Sequence, residues 1–222
     1  MASLEELFAA VQADDADSVR EIIARQPGLA RERTDTGRSA VLLATYFGAS
    51  AALAALLESA PALDACEAAA VGDAERLRVL AAEGAPQLRA LGADGATPLH
   101  FAAFLGHPDC IRLLLEAEVP LDTLSTNENR NTPLHAALAG RAGIESVTEL
   151  LDAGAPLEAV GAGGYTPLHI AASRGDVAII RLLVERGAVT DAVMDDGKNA
   201  ADVAADRDHD QAAAYLASLD SD

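Results

Sequence analysis

The 222-residue chain has no tryptophan, only three tyrosines and only four phenylalanines. A core without large rings is built from Leu, Ala, Val and Ile, which suits short, closely packed helices better than a sandwich or a barrel. Cysteine is equally scarce. The two present, Cys66 and Cys110, stand at apolar positions far apart in the chain and read as buried, reduced thiols, not as a disulfide framework. Basic residues are few: 16 Lys and Arg against 35 Asp and Glu give a net charge of -19. A field of that sign repels nucleic acid and anionic membrane surfaces, and favours a partner of basic character. No apolar run is long enough to span a bilayer, and the segment from Met1 to Leu7 lacks both the basic region and the apolar stretch of an export signal. The expectation is therefore a cytoplasmic protein with no membrane and no nucleic-acid partner.

What the chain does have is a repeated phrase. Thr-Pro-Leu-His runs from Thr97 to His100, from Thr132 to His135 and from Thr166 to His169, with starts 35 and 34 residues apart. Threonine followed by proline begins a helix, because the hydroxyl satisfies an orphan backbone N–H at the N-cap and the proline φ suits the first helical position. Behind each copy lies a small Ala-rich helix, then a polar or glycine break, then a second helix ending in a leucine run. The apolar anchors of those second helices are Val19, Leu53, Leu77, Ile111, Val147, Ile180 and Ala213, separated by 34, 24, 34, 36, 33 and 33 residues. Seven helix pairs follow.

A period of 33 to 35 residues carrying Thr-Pro-Leu-His-x-Ala, with Asp94-Gly95-Ala96 before it and Phe104-Leu105-Gly106-His107 behind, resembles the ankyrin repeat. The resemblance implies an all-α ankyrin-repeat solenoid of about seven helix pairs with β-hairpin fingers, working as a protein-binding scaffold. The whole chain, 1–222, reads as a single domain: degenerate repeats over about 3–91, full repeats over about 92–198 and a capping repeat over about 199–222. In the first pair Ser3 and Glu6 form a capping-box pattern; in the second, Ser39 stands where the threonine is expected.

The 24-residue interval is about ten short of the others. Asp64 reads as the cap of a helix over Ala65 to Ala70, which leaves no room for a finger and predicts an open notch in the finger row. The remaining tips are turn-rich: Asp94-Gly95, Asn127 to Arg130, Gly161 to Gly164 and Asp196-Gly197. Arg130 replaces a glycine and predicts a longer turn, and Glu118 likewise replaces the glycine expected after its helix.

Catalytic and metal readings find little support. His100, His135 and His169 recur, but equivalent positions on stacked helices lie roughly 8 to 10 Å apart, too far to share an ion bound at about 2 Å. They read as hydrogen-bonding residues of the helix starts. Cys66, taken as standing at the histidine position, has no adjacent base. Asp206, Asp208, His209 and Asp210 read as a solvated cap, and Gly161 to Gly164 lacks the lysine of a phosphate loop. No catalytic, cofactor or metal residue is assigned, and the chain is not read as an enzyme.

The resemblance places the two residues before the glycine ending each first helix on the solvent-facing concave surface. Here they are Tyr46 and Phe47, Ala70 and Val71, and Phe104 and Leu105, all apolar, whereas Ser173 and Arg174 are polar. Tyr46, Phe47, Val71, Phe104 and Leu105 are therefore the candidate partner-binding residues, with Tyr165 at the base of a glycine-rich finger as a further anchor. The function expected is non-catalytic binding of a protein or peptide, with some basic character, on the concave surface. The alternative is an acidic regulatory protein that masks a basic, nucleic-acid-binding site on its partner.

Overall fold

Short helices of six to ten residues fill the chain. None is long enough to be stable alone, so each depends on burying a face against its neighbours. A computed structural model describes residues 3–35, 37–59, 62–84 and 86–219, and among these it contains fourteen α-helices and no named strand. None of the helices is long and apolar enough to cross a membrane. The chain divides into two compact units, Met1–Pro98 and Leu99–Asp222.

In the first unit, α1 (Leu4–Gln12), α3 (Ala40–Phe47) and α5 (Ala65–Val71) pack side by side, each doubling back on α2 (Ala16–Arg25), α4 (Ser50–Glu58) or α6 (Ala74–Ala82). Side-chain caps fix where the helices begin. Ser3 and Glu6, and Asp64 and Glu67, make reciprocal capping boxes, and Ser39 accepts from the Leu42 N–H. Gly48 and Gly72 end α3 and α5 in the left-handed region. Helix α4 has no capping side chain of its own; Asp14, in the turn between α1 and α2, reaches across and accepts from the Ala52 N–H at 2.8 Å.

In the second unit the same two layers recur. The helix α7 (Pro98–Leu105), of which only Pro98 falls outside the unit, precedes α9 (Pro133–Ala139), α11 (Pro167–Arg174) and α13 (Ala200–Ala205); α9, α11 and α13 stand in one row. Behind them α8 (Pro108–Glu116), α10 (Ile144–Asp152), α12 (Val177–Glu185) and α14 (Asp210–Leu219) form the other. Of the seven anchors, Val19, Leu77, Ile111, Val147 and Ile180 are fully buried. At the other two positions Leu53 and Ala213 are half-buried, and the neighbouring Ala52 and Ala212 turn inward instead.

The segments expected as β-hairpins are loops, each closed by a backbone hydrogen bond across its neck: Thr34 to Arg38, Gly92 to Ala96, Ser125 to Asn131, Gly161 to Tyr165 and Met194 to Lys198, at 2.8–2.9 Å. So short a ladder forms no strand among the described residues, and one isolated antiparallel bridge joins Arg33 to Ser39. The loop closed by Ser125 and Asn131 is two residues longer than its neighbours, and Arg130 within it takes a φ of 50°. In the second unit successive loops are stitched together, the Ala162 N–H donating to Asn129 O and the Asp195 N–H to Gly163 O, both at 3.0 Å.

Candidate functional site

In the first unit the space expected to open beside the short interval is closed. The loop over residues 34–38 reaches the loop over residues 92–96 so closely that a Cβ on Gly37 would lie 2.3 Å from Ala93 Cβ. Arg38 Nε lies 3.6 Å from Asp94 Oδ1 across the same gap. Below them the Cys66 thiol points at Ala96 O, and burial pushes its pKa up to about 12. Both cysteines are buried, and among the described residues neither forms a disulfide. The register of the capping boxes corrects one alignment: Glu67, three residues after Asp64, stands where the full repeats place histidine, and Cys66 stands one residue earlier. Glu67 is buried, with its carboxylate on the Asp64 N–H at 3.0 Å and 3.3 Å from Arg33.

The candidate residues of this unit fall in different surroundings. Tyr46 and Phe47 are 45% and 58% exposed. Burial first, and the Asp94 carboxylate second, push the Tyr46 phenol above its ordinary value. Val71 is half-buried in a groove of about 470 Å³ with Leu57, Leu63 and Arg76, whereas Ala70 beside it is buried in the core.

In the second unit the recurring histidines hold helix starts. Thr132 and His135, and Thr166 and His169, form capping boxes in which imidazole Nδ1 accepts from the threonine N–H. That leaves Nε2 as the protonated nitrogen. His100 donates from it to Asn131 O at 2.8 Å, and His169 to Lys198 O at 3.3 Å, tying one repeat's helix to the next loop. His135 Nε2 has no hydrogen-bond partner among the described residues; its ring meets the edge of Tyr165 with centroids 5.5 Å apart. Burial lowers the pKa of all three, that of His135 to about 4. Phe104 is 36% exposed and Leu105 half-buried.

Tyr165 is a brace as well as a surface residue. Its hydroxyl donates to Asn129 O at 2.8 Å and also contacts Asn131 Oδ1. Its ring then forms one wall of a groove of about 400 Å³ floored by Ile170 and Val203, with Met194 and Lys198 on the loop side and Ser173 and Arg207 on the helix-turn side. Lys198 reaches Asp206 at 2.8 Å and Asp196 at 3.5 Å. Asp196, Lys198, Asp206 and Arg207 all line the groove beside its apolar residues, and its volume falls within the usual range of binding pockets, about 300–1,000 Å³. Sequence reasoning found Tyr165 but missed Ile170, Met194, Val203 and Lys198. These belong to three different elements, and no single repeat places them together.

The comparisons agree with this architecture. The family profile for ankyrin repeats (three copies) matches residues 65–160 and 139–222. The probable E3 ubiquitin-protein ligase XBOS32 of Oryza sativa subsp. japonica is 30% identical over 207 residues, which is 88% of this chain and 40% of the relative. The E3 ubiquitin-protein ligase XBAT32 of Arabidopsis thaliana is 37% identical over 106 residues, 46% of this chain and 18% of the relative. The human ankyrin repeat and SOCS box protein 11 is 35% identical over 109 residues, 49% of this chain and 32% of the relative. The chain thus spans less than half the length of each of these relatives. With the repeated helix starts, the two helix layers in each unit and the matched profile all in place, the chain belongs to the ankyrin-repeat family.

Proposed function

We propose that this chain is a non-catalytic protein-interaction module whose seven ankyrin repeats, degenerate over 3–91, full over 92–198 and capping over 199–222, bind a protein or peptide through the concave side of their first helices and loops. The observation that carries the reading is the groove between α11, α13 and the loops, where an apolar floor lies open beside a polar rim. Tyr46, Phe47 and Val71 on the first unit, and Phe104, Leu105 and Tyr165 on the second, are the proposed contact residues. Exposure of Tyr46, Phe47 and Phe104 supports this, since large apolar side chains left at a surface commonly serve association.

A second reading is favoured by the distribution of charge. Asp109, Glu116, Glu145, Glu149, Asp152 and Glu185 all lie on the second helices α8, α10 and α12, a face that suits masking of a basic site on a partner. Capture of partners from cytosol by the wild-type chain and by Phe47→Ala, Phe104→Ala and Val203→Asp variants, at low and at physiological salt, separates the two. A partner that survives salt and is lost from one of the variants supports binding through the first helices. A partner held equally by every variant and released by salt alone overturns that reading in favour of the acidic face.

A further inference from the structure

Helices α8, α10 and α12 are each nine residues long and end in a carboxylate, Glu116, Asp152 and Glu185, so the segments that follow them can be compared position by position. At the junction of α10 with α12 two acids have donors. Arg186, the residue after α12, reaches back to Asp152 at 2.7 Å, and the Val189 N–H donates to the Glu158 carboxylate at 3.0 Å. At the junction of α8 with α10 the corresponding donors are missing. Ala153 stands in the register of Arg186, which leaves Glu116, in the place of Asp152, without a cation. Pro156 stands in the register of Val189 and has no N–H to offer Asp122, which occupies the place of Glu158. Glu118 adds a third carboxylate, because it replaces the glycine found at 154 and 187. All three acids are exposed, and among the described residues none of their side chains forms an ion pair or a hydrogen bond. Glu118 and Asp122 also line a groove of about 420 Å³ whose apolar walls include Leu115, Leu121, Ala153 and Pro156, and no basic side chain among the described residues lines it.

We infer that this groove receives an arginine side chain of a partner protein, its guanidinium supplying the cation that Arg186 provides one repeat further on, with aliphatic side chains of the same segment against Leu115, Leu121 and Pro156. The inference rests on the acidic-face reading for the sign of the partner's charge and gives that face one defined contact. It is separate from the groove beside Tyr165, which holds bases of its own in Lys198 and Arg207. The neighbouring junction shows that this framework accommodates a guanidinium, since the Arg186 side chain is only 35% exposed there. Arginine suits the task better than lysine because its planar fork engages carboxylates in a bidentate manner and its weaker hydration eases entry among aliphatic walls. The C-terminal ends of α8 and α10, at Leu115 and Ala153, add partial negative charge to the same place. A calcium ion fits less well, because it needs six to eight oxygens and only two carboxylates line these walls.

The test uses the full chain and a fluorescent peptide with leucines two residues to either side of one arginine, so that all three side chains leave an extended backbone on one side. The control peptide carries citrulline, which keeps the shape of arginine without its charge. Anisotropy is expected to report binding of the arginine peptide and clearly weaker binding of the citrulline peptide. Glu118→Gln with Asp122→Asn should weaken the former roughly threefold to tenfold, the scale of two exposed charge pairs. Ala153→Arg should weaken it as well, by supplying from within the chain the cation that the next junction already has. Glu128→Gln with Glu145→Gln, which removes as much charge elsewhere on the same unit, should leave binding unchanged. The inference is overturned if the arginine peptide fails to bind, if the citrulline peptide binds as well, if the control pair weakens binding as much, or if Ala153→Arg has no effect. It is equally overturned if calcium chloride displaces the peptide at similar concentration, or if sedimentation shows a dimer that Glu118→Gln with Asp122→Asn disperses. A negative peptide result with a captured partner still held by every variant and released by salt alone removes only this groove and leaves the acidic-face reading standing.

Discussion

Acidification from pH 7 to pH 5 should destabilise the second unit through its buried histidines, and His135 allows the magnitude to be worked out. Its side chain is fully buried, its Nδ1 accepts from Thr132 N–H at 3.2 Å, and its pKa is lowered to about 4 from an ordinary 6.5. Protonation of Nδ1 turns that acceptor into a donor and breaks the capping box at the start of α9. Because the unfolded chain binds the proton near pH 6.5 and the folded chain resists it until about 4, stability is fully present above the unfolded value and drains away as pH falls toward the folded one. Linkage between those two values gives a loss of about 2 kcal/mol by pH 5 from this residue alone. His100 and His169, also lowered by burial, add loss of the same sign. Asp15 and Glu58, whose pKa values are held down chiefly by hydrogen bonds from Ser18 and Arg20, contribute only at lower pH, so the window isolates the histidines. Urea unfolding midpoints at half-unit steps of pH measure the slope, compared with His135→Gln, in which the amide oxygen keeps the acceptor and cannot titrate. Equal slopes for the wild type and His135→Gln between pH 7 and pH 5 would refute the reasoning.

Three further outcomes follow from single contacts. Asp14→Ala should cost the first unit about 1 kcal/mol in urea unfolding, the usual value of a lost helix cap, because Asp14 supplies the acceptor for Ala52 N–H that α4 lacks; an unchanged midpoint would show that water replaces it freely. Gly140→Ala should lower the thermal midpoint clearly, by about 1–3 kcal/mol in stability, since its Cβ would fall 2.0 Å from Phe104 O; a neutral effect would mean that the turn after α9 relaxes away from α7. Glu118→Gly should stabilise modestly, by up to about 1 kcal/mol, because Glu118 holds a φ of 52° where glycine is at ease; a destabilised variant would reveal a contact of the Glu118 side chain that outweighs the strain.

Local signals in the sequence located the helix starts well. Thr132, Thr166, Ser3, Ser39 and Asp64 each cap the helix they precede, since a cap depends on residues within one turn. Five of the seven expected anchors are buried as the sequence indicates, because a 33-residue period fixes which face of each second helix turns inward. Leu53 and Ala213 are not, because adjacent small residues let the alanines at 52 and 212 take the buried place. The alignment of Cys66 with the histidines failed by one residue for lack of the phrase; the capping partner Glu67 settles it. The short interval was visible, but its closure by Gly37 against Ala93 joins residues on loops far apart in the chain.

The sequence by itself determined the repeat, the helix pairs and the family, because each is written in spacings shorter than one repeat and is repeated several times over. Only the tertiary structure decided which side chains line the groove beside Tyr165 and that the expected notch is shut. Those facts arise between repeats, where packing distance and loop conformation set the neighbours, and periodicity along the chain carries no information about either.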